Sequence, residues 1–210
     1  MLRQEFPIHQ IELRWNAPAE VILEAIARSP DLTLRGVRGV IADAAFGSYV
    51  LPELKQLGWT NVSPTGNFSY DYTVSDGKGQ VKVQVKMQRM KEHRPMKANE
   101  GYRRLPADQF VVEIQRTRGG KDATTGADTR PYPYGEFDVL AVSMHPSTDS
   151  WNRFMFTVAD WLLPASAPHQ LLKFQPVSPV PNSDWTESFL QSVEWLRSGL
   201  KKRISDAARG

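Results

Sequence analysis

The sequence predicts an α/β fold on three observations. Residues 80–88 alternate without a break, with Val81, Val83, Val85 and Met87 set against Lys82, Gln84, Lys86 and Gln88. A period of two marks a strand with one apolar face. Residues 137–144 and 153–158 are apolar runs of strand length, joined by the turn-rich stretch 145–150. Around these strands, residues 16–29, 41–57 and 183–200 carry apolar side chains at helical spacing.

Taken in chain order, residues 8–13 alternate enough for a strand or an extended arm. Asn16 then reads as the N-cap of a helix that gathers Val21, Ile22, Ala25 and Ile26 and closes at Ser29-Pro30. The next helix is expected from Ile41 toward Leu57, with Gly58 as its stop. Pro52 imposes either a kink or a second short helix starting at Leu51. Asp43, Gly47, Val50, Leu54 and Leu57 share the inward face, and an acid there calls for a partner.

Tyr70, Tyr72 and Val74 alternate with Asp71, Thr73 and Ser75 ahead of Asp76-Gly77-Lys78-Gly79, so this stretch and the strand after it read as a β-hairpin. A loop centred between Gly77 and Lys78 pairs Asp71 with Gln84, whereas a two-residue Asp76-Gly77 turn pairs it with Lys82. Either register keeps Asp71, Gln84 and Lys86 on one side of the ribbon, because a shift of two residues preserves the face. A carboxylate and an amide oxygen so placed suit a hard cation such as Mg2+. An ammonium two residues along can orient an attacking water and offset charge on a scissile phosphate.

Downstream, residues 90–106 are polar, basic and weakly periodic, a helix or a DNA-facing loop. Arg94, Lys97, Arg103 and Arg104 are its expected phosphate contacts and Tyr102 a stacking group. Residues 110–116 read as a strand, and 119–133 as a long loop from which Arg116, Arg118, Lys121 or Arg130 would read guanine edges. Residues 164–181 are proline-punctuated, a linker or a sheet-edge excursion. The C-terminal helix is expected to open on Ser183 or Asn182, with Glu187 as capping-box acid, and to run through Phe189, Leu190, Val193, Leu196 and Leu200. It closes the core or forms a dimer interface.

Composition sets limits. With 210 residues, 40% hydrophobic and 23% charged, the chain has the balance of one soluble domain with a substantial core. It has no cysteine, which excludes disulfides and thiolate metal sites and fits a cytoplasmic location. No long apolar segment is present, so neither secretion nor membrane spanning is expected. The net charge of +3 is unevenly spread: residues 78–130 hold thirteen Lys or Arg against six acids, a local +7 that leaves −4 elsewhere. Lys82 and Arg89 belong to that basic stretch, whose charge suits a phosphate-binding cleft. The histidines lack metal-ligand spacing, and there is no Gly-x-Ser-x-Gly or phosphate loop.

Asp71, twelve intervening residues, and then Gln84-Val85-Lys86 resemble the Asp…(Asp/Glu)-x-Lys signature of the PD-(D/E)XK nuclease superfamily, in the variant with Gln for the second acid. Gly58-Trp59-Thr60-Asn61-Val62 and the run from Tyr134 to Val142 look like flanking segments of its intron-homing and restriction branches. The stretch from Thr117 to Tyr132 and that from Trp151 to Phe156 are similar to restriction endonuclease-like proteins. The resemblance covers roughly residues 36–165.

It implies a restriction-endonuclease-like core: a mixed central sheet carrying the site, flanked by helices, and Mg2+-dependent hydrolysis of DNA phosphodiesters. Residues 1–35 would then be an N-terminal strand/helix element, 36–165 the nuclease core, and 166–210 a linker and helix packed on the core or on a dimer partner. Asp71 is the expected principal Mg2+ ligand, Gln84 a second oxygen ligand and Lys86 the water-orienting or charge-stabilising group. A helix carboxylate completes such sites, with Asp43 the candidate and Glu53 its rival. A competing frame uses Glu113-Ile114-Gln115. The function implied is that of a type II restriction endonuclease, homodimeric on double-stranded DNA. The alternative is a catalytically silent nucleic-acid-binding module of the same fold.

Overall fold

The computed structural model describes residues 8–62, 66, 68–116, 120, 130–167 and 169–204. The chain divides into two compact units, residues 1–40 and 41–210. In the first, α1 spans Gln10–Trp15 and α2 Ala19–Ala27. The strand or arm expected at residues 8–13 is therefore a helix. Glu12 accounts for this, because its carboxylate accepts from His9 N and Ala19 N at 2.9 and 2.8 Å and closes a capping box with His9. Asn16 is not the N-cap of α2. It takes the left-handed conformation that ends α1, a role Asn tolerates, and Pro18 precedes α2 instead.

Helix α3 runs Asp31–Ala45, starting ten residues before the expected Ile41. Pro30 supplies its first acceptor, with Thr33 N and Leu34 N donating to Pro30 O at 2.9 and 3.1 Å. Gly36 and Gly39, which weaken helical propensity on sequence grounds, fall inside it. A π-helical turn, Phe46–Val50, follows, and α4, Leu51–Gln56, starts at the residue before Pro52 as one of the two expectations held. Leu57, placed on the inward face by periodicity, is exposed because α4 has already ended.

Five strands make the central sheet, in the order β1-β2-β3-β7-β8: Thr60–Asn61, Tyr72–Ser75, Gln80–Met87, Val139–Ser143 and Phe154–Val158. Only β3 and β7 pair in parallel, so the sheet is mixed. A second sheet joins β6, Phe110–Glu113, to β9, Phe174–Val177, which makes residues 164–181 carry a paired strand. Residues 90–106, expected as one helix or a loop, hold two short strands, β4 Met90–Lys91 and β5 Arg94–Pro95, and a helical turn, α5, Ala98–Gly101. After β7 comes a single turn, α6, His145–Thr148.

The last helix, α7, spans Phe189–Ser198 and ends on left-handed Gly199. Its N-cap is Ser188, whose hydroxyl accepts from Gln191 N at 3.3 Å, not Ser183 or Asn182. Asn182 instead accepts from Asp184 N and Trp185 N, and Glu187 pairs with Arg153.

The sheet has a core on each face. Phe46, Val50 and Leu54 cover Val74, Val81, Val83 and Val139 together with Phe189 and Val193 of α7. On the other side Leu140, Val142 and Met155 pack with Val111, Val112, Phe137 and Trp161. Each fully buried aliphatic or aromatic side chain here is worth about 1.5–3 kcal/mol. The double covering explains why β3, expected to be solvated on its Lys/Gln face, buries Gln84 and Gln88 to 2% and 0% exposure.

Candidate active site

The β2–β3 ladder pairs Tyr72 with Val83 and Ser75 with Gln80, the register that sets Asp71 opposite Gln84. Asp71 lies one residue before β2, and its N–H donates to Val83 O at 2.9 Å. Where the backbone ladder stops, its carboxylate continues it: Oδ2 accepts from Val85 N at 2.7 Å and from Gln84 Nε2. Gln84 Nε2 also donates to Val85 O at 3.2 Å. The amide thus presents its nitrogen to Asp71, whereas the sequence reading assigned it an oxygen-ligand role.

Asp43 comes from the last turn of α3, three residues ahead of the π-helical turn. Such turns loosen the helical ladder and recur at functional sites. Here Asp43 O accepts from Tyr72 Oη at 2.9 Å, tying the helix to β2. Gly47 makes this approach feasible, since a Cβ there would lie 3.2 Å from Tyr72 Oη. Asp43 Oδ1 is buried with no hydrogen-bond partner among the described residues.

Lys86 extends from the same face of β3 as Gln84, and its Nζ lies 5.6 Å from the centre of the Tyr132 ring. The Arg116 guanidinium lies 5.4 Å from that ring too. Asp43, Asp71 and Lys86 are near enough to shift one another's ionisation. Burial raises both carboxylates above their usual range; the Tyr72 hydroxyl and then the Lys86 ammonium pull Asp43 back down, and Lys86 and the Val85 N–H do the same for Asp71. Burial lowers Lys86 from the usual lysine value, and Asp71 and Asp43 raise it. Burial, with Asp71 adding to it, pushes the Tyr132 phenol up to about 12, and burial with Asp43 raises Tyr72 further still. Asp43 and Lys86 are half-buried and Asp71 is exposed, and these two acids and one base, without a direct ion pair among the described residues, form a coupled charge cluster of the kind found at functional sites.

The structure therefore brings together Asp43, Asp71, Gln84 and Lys86. Glu53, the rival acid, is exposed on α4. Glu113 stands on β6, paired with Arg89 at 3.2 Å and Lys173 at 3.6 Å, and the competing frame gains no support from that position. Asp138 is structural, as its Oδ2 accepts from Lys82 N at 2.7 Å. Several of the expected phosphate contacts are already paired: Arg94 bonds Glu100 through both terminal nitrogens at 2.7 Å, and Arg116 pairs with Glu136 at 3.1 Å. Lys97 Nζ sits 4.2 Å from the Phe110 ring centre, whereas Arg103, Arg104 and Arg130 are exposed. Arg118 and Lys121, with most of the long loop, lie outside the described residues. Tyr72 and Tyr132 were not singled out by spacing; Tyr132 follows Lys86 by 46 residues, and no local pattern connects them. Among the described residues no group of three His, Cys, Asp or Glu converges, and no helix is long and apolar enough to cross a membrane.

No protein-family model and no curated protein matches the chain. Among solved structures it is similar to a bacterial homing endonuclease, I-Ssp6803I, at 20% identity over 81% of this chain and 96% of that one, with a TM-score of 0.44.

Proposed function

We propose that this protein is a Mg2+-dependent endonuclease that hydrolyses DNA phosphodiester bonds, acting as a homodimeric, cytoplasmic type II restriction enzyme. The observation that carries the reading is Asp43 Oδ1, a buried carboxylate oxygen without a donor among the described residues, grouped with Asp71 and Lys86. An anionic oxygen removed from water and left without a hydrogen bond costs free energy that a cation recovers. The donor set fits Mg2+, which takes oxygen ligands and is held by one or two carboxylates.

Asp71 and Asp43 would hold the ion, which when bound supplies Lewis-acid stabilisation to the phosphate oxygens. Gln84 and Val85 N fix the Asp71 carboxylate by the two bonds to Oδ2, so that Oδ1 would be the oxygen available to the ion. Gln84 joins as an oxygen ligand only if its amide turns over. Lys86 orients the attacking water and offsets the charge that grows on the phosphate. Tyr132 holds the Lys86 ammonium over its ring. Two-fold symmetry of the protein would match a palindromic target.

The second reading, a silent nucleic-acid-binding module, draws on one observation: Asp71 Oδ2 already has two donors, which stabilises the carboxylate without metal. One experiment separates them. Methylation-free plasmid DNA is incubated at low salt with Mg2+, Mn2+ or EDTA, with wild type and Lys86→Ala. Discrete metal-dependent fragments from the wild type alone are expected. Intact DNA under every metal, with retained salt-sensitive binding, establishes the silent module instead.

A further inference from the structure

A cleft of about 310 Å³ opens beside the cluster, lined by Ser69, Tyr70, Lys82, Tyr134, Gly135 and Glu136. Lys82 is four residues before Lys86 on the same face of β3, roughly 13 Å away along an extended strand. Tyr70 supplies an aromatic lining, and outside the cleft Phe68, 51% exposed, stacks on it with centroids 5.3 Å apart and ring planes 27° from parallel. Lys82 Nζ stands 5.6 Å from the Tyr70 ring centre. Opposite in chemistry is Glu136, whose carboxylate is held in place by Arg116 at 3.1 Å. The Lys82 backbone is pinned by Asp138 through two bonds, Lys82 N to Asp138 Oδ2 at 2.7 Å and Asp138 N to Lys82 O at 2.9 Å, so the cation is presented from a rigid strand.

We infer that this cleft is a nucleobase subsite that takes an unstacked base bearing an exocyclic amino group, cytosine above thymine. The ring lies against Tyr70, the amino group donates to Glu136, and the adjoining phosphate meets Lys82. Each part has a physical basis. Base-on-aromatic stacking tolerates any base, a lysine neutralises phosphate, and a carboxylate accepts from an amino group that thymine lacks. The inference rests on the nucleic-acid part of the proposed function and deepens it by naming the contact that discriminates between bases.

The test measures fluorescence anisotropy in EDTA at low salt, with short single-stranded oligodeoxycytidylate and oligothymidylate as probes. Wild type is expected to bind the cytidylate about tenfold more tightly, the discrimination of one good base contact. Glu136→Gln, matched in size, is expected to reduce that ratio to near one while keeping thymidylate affinity within about twofold. Should this variant not fold, Tyr70→Leu and Tyr70→Phe serve: the first weakens both probes about tenfold and the second leaves them unchanged. Equal wild-type affinities, or a cytidylate preference that survives Glu136→Gln, overturn the subsite. Plasmid cleavage without that preference removes the subsite and leaves the nuclease standing. A cytidylate preference without cleavage leaves the subsite and removes the hydrolytic reading, and no binding of either probe removes both.

Discussion

Replacing Lys86 with alanine tests the charge cluster most directly. Half-buried Lys86 sits near Asp43 and Asp71, and its loss removes a cation that helps hold both carboxylates down. At an effective dielectric of about 20, a unit charge ~4 Å from a phosphate oxygen is worth about 4 kcal/mol. If that interaction is made only as negative charge develops, Lys86→Ala slows bond cleavage by roughly three orders of magnitude. Binding suffers less: one phosphate contact is lost, so the slope of log affinity against log salt flattens by about one. The assay is single-turnover cleavage of plasmid DNA in Mg2+, beside circular-dichroism melts and anisotropy titrations in EDTA. A folded Lys86→Ala protein that cleaves at the wild-type rate refutes the role given to Lys86.

Four further predictions follow from the same geometry. Asp43→Asn should cut the cleavage rate about 100-fold, the order of one preorganised group; because Asp43 raises both Asp71 and Lys86, the acid and alkaline limbs of any residual pH–rate profile should both move down. The same variant should gain stability relative to wild type as pH rises from about 3.5 to 7 in EDTA, since a carboxylate with a raised folded-state value costs stability once ionised; equal melting temperatures at both ends of that range count against the buried-acid description. Tyr132→Leu should lower the rate about fivefold, the order of one cation–π contact, and Tyr132→Phe should not, so equal losses in the two variants assign Tyr132 to its hydroxyl instead. Gln84→Glu adds a third acid at a position 2% exposed; its melting temperature should drop in EDTA and recover with Mg2+, and the Mg2+ concentration for half-maximal rate should fall about tenfold, whereas an unchanged requirement places residue 84 outside the ion's reach.

Features with short-range causes are legible in the residues alone. The alternation of β3 identifies its Val81, Val83 and Val85 core face, and the Asp76–Gly79 turn limits the hairpin to two registers that share a face. Asp71, Gln84 and Lys86 were legible for that reason, and the break at Pro52 because proline acts on its own backbone. Caps were less legible. Asn16 and Ser183 have N-cap chemistry, but Asn also fits the left-handed end of a helix, and the register of α7 is set by where Phe189 and Val193 meet the sheet.

Tertiary structure decided the electrostatics. Burial of Gln84 and half-burial of Lys86 depend on β6, β9 and the segment around Tyr132 covering the polar face of β3, contacts between residues far apart in sequence. Spacing alone cannot tell a solvated Lys/Gln face from a covered one, because the alternation is the same in both. Nor could it choose between Asp43 and Glu53, which differ in where α3 gives way to a π-helical turn and so in which acid meets Tyr72. Periodicity assigns a side chain to a face; the desolvation that turns a carboxylate and a lysine into a reactive cluster comes from whatever packs against that face.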